Sequence, residues 1–111
     1  MPEKNLQIID HPNGEPRVTP PDLHVNRLEG TTMLRFANHL AGDVTVILNP
    51  LLNPSPAALL IAPSESESAQ ITPKEGGIFP YQVYLGRGTG GRKAKGLCDP
   101  IIIVYPPGGH T

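Results

Sequence analysis

Gly77-Ile-Phe-Pro-Tyr-Gln-Val-Tyr-Leu85, a glycine-rich basic loop, and Asp99-Pro-Ile-Ile-Ile-Val-Tyr105 form the part of the sequence that decides the fold. Side chains alternate across a strand, so Tyr81 and Val83 share one face while Gln82 and Tyr84 share the other. The uninterrupted Ile101-Ile-Ile-Val104 run is the pattern of a strand covered on both sides, whereas a half-exposed strand alternates. Two such segments closing a small domain without tryptophan read as the last strands of a β-sandwich.

Working back from this stretch, Lys74-Glu-Gly-Gly77 is a turn and Ala69-Gln-Ile-Thr72 a strand. Ser64-Glu-Ser-Glu-Ser68 has the Ser-x-x-Glu form of a helix start. Pro73 follows too closely for a helix of useful length, so a solvated loop is expected. Between Pro50 and Pro63 only Ala57-Ala-Leu-Leu-Ile-Ala62 can be regular, and a strand is favoured over a helical turn. Val44, Val46 and Leu48 alternate with Thr45 and Ile47 in a strand that ends at Asn49-Pro50. Further back, alternation runs from Leu23 to Val25 and resumes at Leu34 and Phe36, with Glu29-Gly30 as a hairpin or corner. Leu6 to Ile9 is expected to be a short edge strand within an irregular segment, 1–21, that is rich in turn signals. The tail, 106–111, is expected to be loose.

The composition agrees with short strands and many turns. Of 111 residues, 14 are proline and 12 glycine; proline removes a backbone donor and glycine weakens element interiors. The length suits one domain, which buries roughly two thirds of the surface its unfolded chain exposes. Strands at this spacing imply an all-β Greek-key sandwich spanning 1–111. Nine basic and ten acidic residues leave a charge of −1. No whole-chain field favours nucleic acid or an anionic membrane, and stacking aromatics are scarce. The start, Met-Pro-Glu-Lys-Asn5, lacks the apolar run of a secretory signal. A cytoplasmic protein and an exported domain without its leader are both open.

The order of segments from Leu23 to Tyr105 resembles the cupredoxin family. Leu23 to Gly30 resembles the family's strand leading to a glycine turn, and Met33-Leu-Arg-Phe-Ala-Asn38 its strand ending in asparagine. Leu60-Ile-Ala-Pro-Ser64 resembles the loop before the next inner strand. Phe79-Pro-Tyr-Gln-Val-Tyr84 resembles the strand that runs into the copper-ligand cysteine. An immunoglobulin-like sandwich is the alternative connectivity.

The resemblance implies a type 1 copper site, which needs two imidazoles, a thiolate and usually an axial methionine. The sequence departs from that pattern. Leu85 stands in the cysteine's place and Asp43 near the first histidine's. His110 lies a whole strand beyond the loop, ~15 Å away or more at ~3.3 Å per residue. Met1 and Met33 are misplaced for the axial role. No cofactor is therefore expected. The alternative is an unconventional copper or electron-transfer site built from His39, Asp43 and Cys98.

Other chemistry is sparse. Gly86-Arg-Gly-Thr-Gly-Gly91 follows a strand and matches G-x-G-x-x-G. Gly96 and Pro100 cut off the helix a dinucleotide site requires, and no acidic residue follows Asp99. The same loop gathers Arg87, Arg92, Lys93 and Lys95 without an acidic residue from Leu85 to Cys98. Guanidinium forks and loop amides of this kind can hold an anionic small ligand or an acidic protein surface; a solvated loop is the ordinary alternative. Cys98, the single cysteine, forms no internal disulfide and has no neighbouring histidine in sequence to activate it. No serine-histidine-aspartate motif, no carboxylate pair in a telling context and no HExxH is present, so no enzymatic activity is expected. The expected role is a non-catalytic binding module on a copper-free scaffold.

Overall fold

A computed structural model of the protein describes residues 2–10, 16–87 and 100–105. Its strands are β1 (Glu3–Asp10), β2 (Pro16–Thr19), β3 (Asp22–Asn26), β4 (Thr32–Asn38), β5 (Val44–Ile47), β6 (Ala58–Ile61), β7 (Ser66–Ile71), β8 (Gly77–Pro80), β9 (Gln82–Leu85) and β10 (Ile101–Tyr105). One sheet has the order β2-β1-β4-β7. The other strands pair as β3-β10-β8 and β6-β5-β9. Because β8 and β9 are separated by Tyr81 alone, these two sets share one strand path and act as a second sheet.

The break at Tyr81 has a local cause. The register that pairs Ile47 with Gln82 would bring Asn49 opposite Pro80, and proline has no N–H for the ladder. Instead, the Asn49 side-chain amide donates to the Pro80 carbonyl at 3.2 Å. The Tyr81 N–H turns the other way and donates to Pro100 O at 3.1 Å.

Both sheets turn their apolar alternation inward. Leu6, Ile8, Leu34, Phe36, Ala69 and Ile71 from the first meet Val25, Val46, Ile61, Tyr81, Val83 and Ile102 from the second, all buried. Phe36 and Tyr81 meet edge to face across this core, with centroids 5.8 Å apart and planes at 72°, a favoured aromatic geometry. Leu52, fully buried, is carried by a 3-10 turn at Pro50–Leu52.

Several expectations need correction. β1 is no edge strand in an irregular segment: it is eight residues long, lies between β2 and β4, and runs parallel to β4. A parallel partner requires a long crossover, here supplied by β2 and β3, and the short apolar pattern Leu6, Ile8 carries no sign of it. Of the two readings of Glu29-Gly30, the corner holds: a 3-10 turn, Arg27–Glu29, ends at Gly30 with φ 77° between strands of different sheets. The expected loop Ser64 to Ser68 already belongs to β7 from Ser66 onward, because Ala37 and Arg35 offer it a ladder. The β10 run is covered on its inner side only: Ile102 and Val104 are buried, whereas Ile101 and Ile103 are half-buried. The tail expected to be loose lies outside the described residues.

Candidate functional site

One end of the sandwich collects the residues singled out for chemistry, and the ladder between β5 and β9 builds it. Beyond the last regular pair, Val44 with Leu85, the Gly86 N–H donates to Asp43 O at 2.7 Å. The Thr45 hydroxyl donates to Gly86 O at 2.8 Å. Gly86 has φ 93°, a conformation that favours glycine, and from it the chain leads to Arg87. The Arg87 Nε then donates to Asp43 Oδ2 at 2.9 Å, with the arginine side chain 77% exposed and the aspartate 26%. Among the described residues the guanidinium has no second partner.

The loop that carries Asp43 is held by Asn38, a buried polar side chain at the end of β4. Its amide donates to Gly42 O at 2.8 Å and Ile61 O at 2.9 Å, and its carbonyl accepts from the Leu40 N–H at 2.9 Å. A buried side chain with donors and acceptor both satisfied adds order rather than cost. Sequence reading placed Asn38 at the end of a strand and missed this role, which depends on β6 lying alongside.

The predicted site residues divide accordingly. Arg87 and Asp43 are brought together. His39 is exposed and only its backbone is engaged, donating to Ile8 O at 2.9 Å; no hydrogen bond or ion pair joins it to Asp43. Arg92, Lys93, Lys95 and Cys98 lie outside the described residues. Away from this end, a depression of about 270 Å³ opens where β8 gives way to β9, against Ile47, Asn49, Pro50, Pro80 and Gln82. Asn49 already spends its amide on Pro80 and its carbonyl on the Leu51 N–H.

The chain superimposes on copper proteins. A multi-copper oxidase from Pseudomonas parafulva aligns over 92% of this chain and 28% of its own, with 17% identity and a TM-score of 0.61. A reduced Cu(I) form of an amicyanin mutant aligns over 91% and 80%, with 18% identity and a TM-score of 0.54. Auracyanin B aligns over 94% and 88%, with 15% identity and a TM-score of 0.56. The chain has the cupredoxin fold. It spans less than a third of the oxidase. No family model and no curated protein matches the sequence.

On this cupredoxin scaffold the described residues do not fit a type 1 copper ion, which requires imidazole and thiolate donors converging on one point. At the end of β9 stands Leu85, the Asp43 carboxylate is paired with Arg87, and the exposed His39 is joined to Asp43 by no hydrogen bond or ion pair. No three of histidine, cysteine, aspartate and glutamate come together among the described residues. No helix among them is long and apolar enough to cross a membrane.

Proposed function

We propose that this cupredoxin-fold domain is a non-catalytic binding module that captures an anionic ligand or an acidic protein surface at the Asp43–Arg87 end. The observation that carries the reading is Arg87 itself. Its Nε is steadied by Asp43 and its side chain is largely exposed, and the two residues flank the ends of the paired strands β5 and β9. A guanidinium with one edge anchored keeps the other as a fork for carboxylate or phosphate and loses less side-chain freedom on binding. Arg92, Lys93 and Lys95 follow within the same stretch of sequence and would add charge to the capture. Contacts carried on a rigid β-scaffold are a common arrangement for recognition.

The test is retention of the protein on immobilised poly-glutamate and on phosphate resin at low and high salt. The combined Arg87→Ala, Arg92→Ala, Lys93→Ala, Lys95→Ala variant should weaken retention at least tenfold, and salt should do the same to the parent. Far-UV circular dichroism and urea unfolding should remain unchanged. Equal retention of parent and variant refutes the reading.

A further inference from the structure

A buried hydroxyl interrupts the valines of β5. Val44 and Val46 belong to the core and are fully buried, whereas Thr45 stands on the opposite face with Leu60 and Tyr84 as its ladder neighbours and is still only 6% exposed. Valine would serve packing there equally well, since the two side chains share a β-branched shape that suits strands. A buried hydroxyl is costly unless it is bonded. This one is bonded across 41 positions of sequence, donating to Gly86 O at 2.8 Å.

The Gly86 carbonyl belongs to the peptide unit that joins Gly86 to Arg87. The preceding unit, from Leu85 to Gly86, is held as well, because its N–H donates to Asp43 O at 2.7 Å. Peptide units are planar, so these two hydrogen bonds to the β5 segment restrain both planes that meet at Gly86. They hold the φ of 93° there, and with it the point from which the Arg87 side chain starts. Asp43 thus engages this stretch twice, through its backbone carbonyl to Gly86 and through its carboxylate to Arg87 Nε at 2.9 Å. Asn38 steadies the other side of Asp43 by binding the Gly42 carbonyl. An exposed arginine without such a seat samples many rotamers.

We propose that Thr45 is the positioning residue of the Asp43–Arg87 site: by tying the Gly86–Arg87 peptide to β5 it keeps the arginine directed at Asp43 and so preorganises the guanidinium for an anion. For its consequence in binding this role rests on the capture reading of that end; for the placement of the arginine it rests on the geometry alone. A side chain ordered before the ligand arrives does not lose that freedom on binding, which is how preorganisation raises affinity. Thr45 acts only through Gly86 and makes no contact with the ligand itself.

Thr45→Val removes the hydroxyl and keeps the shape of the side chain, and Thr45→Ser restores the hydroxyl. The first readout is hydrogen exchange of the Arg87 Nε–H, followed by NMR on a signal assigned by its loss in Arg87→Ala. Exchange should be roughly three times faster in Thr45→Val than in the parent, and Thr45→Ser should return it toward the parent rate. Thr72→Val breaks the 3.0 Å hydroxyl contact between Thr31 and Thr72 at the far end of β4 from Asn38; it should leave the exchange unchanged, which separates local positioning from general loosening. The second readout is retention on phosphate resin, which Thr45→Val should weaken about threefold. In an Arg87→Ala background Thr45→Val should weaken it no further, because residues acting through one contact are not additive. Circular dichroism should show folded protein throughout. Exchange in Thr45→Val at the parent rate, no recovery in Thr45→Ser, an equal effect of Thr72→Val, or a loss of retention that persists without Arg87 overturns the assignment. Retention that the four-residue variant leaves unchanged refutes the capture reading instead, and the exchange rates alone then decide the role of Thr45.

Discussion

Replacing Tyr81 by phenylalanine should stabilise this protein. The tyrosine is 1% exposed, packs edge to face on Phe36, and its hydroxyl has no hydrogen-bond partner among the described residues. Tyr81→Phe keeps the ring and its aromatic contact, worth about 0.5–1.5 kcal/mol beyond area burial. It removes a buried polar atom whose unpaired desolvation costs about 1–3 kcal/mol. The net expectation is a gain of about 1 kcal/mol, or roughly 4–8 °C in Tm for a domain of this size. Burial also pushes the Tyr81 phenol well above the ordinary tyrosine range. The unfolded chain then releases this proton first, near pH ~10. Its contribution is therefore fully present below that pH, and above it the parent loses ~1.4 kcal/mol of stability per pH unit. The phenylalanine variant lacks that loss, so its advantage over the parent should widen above pH 10. Urea unfolding followed by far-UV circular dichroism at pH 7, 9, 10 and 10.5 measures both effects. A variant less stable than the parent by about 1 kcal/mol or more at pH 7 would mean that the hydroxyl has a satisfied partner, and the reasoning fails.

Three further outcomes test the site end. Asn38→Ala removes two donated hydrogen bonds and one accepted hydrogen bond that hold the loop before β5. Unfolding free energy should drop by about 3 kcal/mol or more, read in urea melts. Gly86→Ala meets no neighbouring atom within 4 Å, yet its φ is 93°. The cost is backbone strain alone, about 1–2 kcal/mol, and a melt unchanged from the parent would deny that conformation. Addition of Cu(II) should produce no thiolate-to-copper absorption band in the parent, and Cys98→Ala should leave the visible spectrum as it was. A Cys98-dependent band would restore the metal reading.

The sequence by itself determined the class of fold and most of the strands. Local alternation suffices where a strand has one wet and one dry face, as in Val44 to Leu48, Leu23 to Val25 and Tyr81 to Leu85. Proline and glycine mark where such strands stop. The likeness in fold was legible because the order of these segments survives at an identity of 15–18% with the three structures compared. The basic character of the loop after Leu85 and the departures from a copper-ligand pattern were legible too, since they depend on residue identity and not on geometry.

Only the tertiary structure decided how distant segments meet. β1 is interior because β4, far along the chain, offers it a parallel ladder, and nothing in Leu6 or Ile8 encodes that partner. Asn38 organises the site end because Gly42 and Ile61 present carbonyls to one amide, a coincidence of three segments. Arg87 pairs with Asp43 through a ladder register and the turn at Gly86, across 44 positions of sequence. The open outer face of β10 is likewise a property of layers: hydrophobicity states that Ile101 and Ile103 belong out of water, but only the stacking of sheets reveals which side is left uncovered.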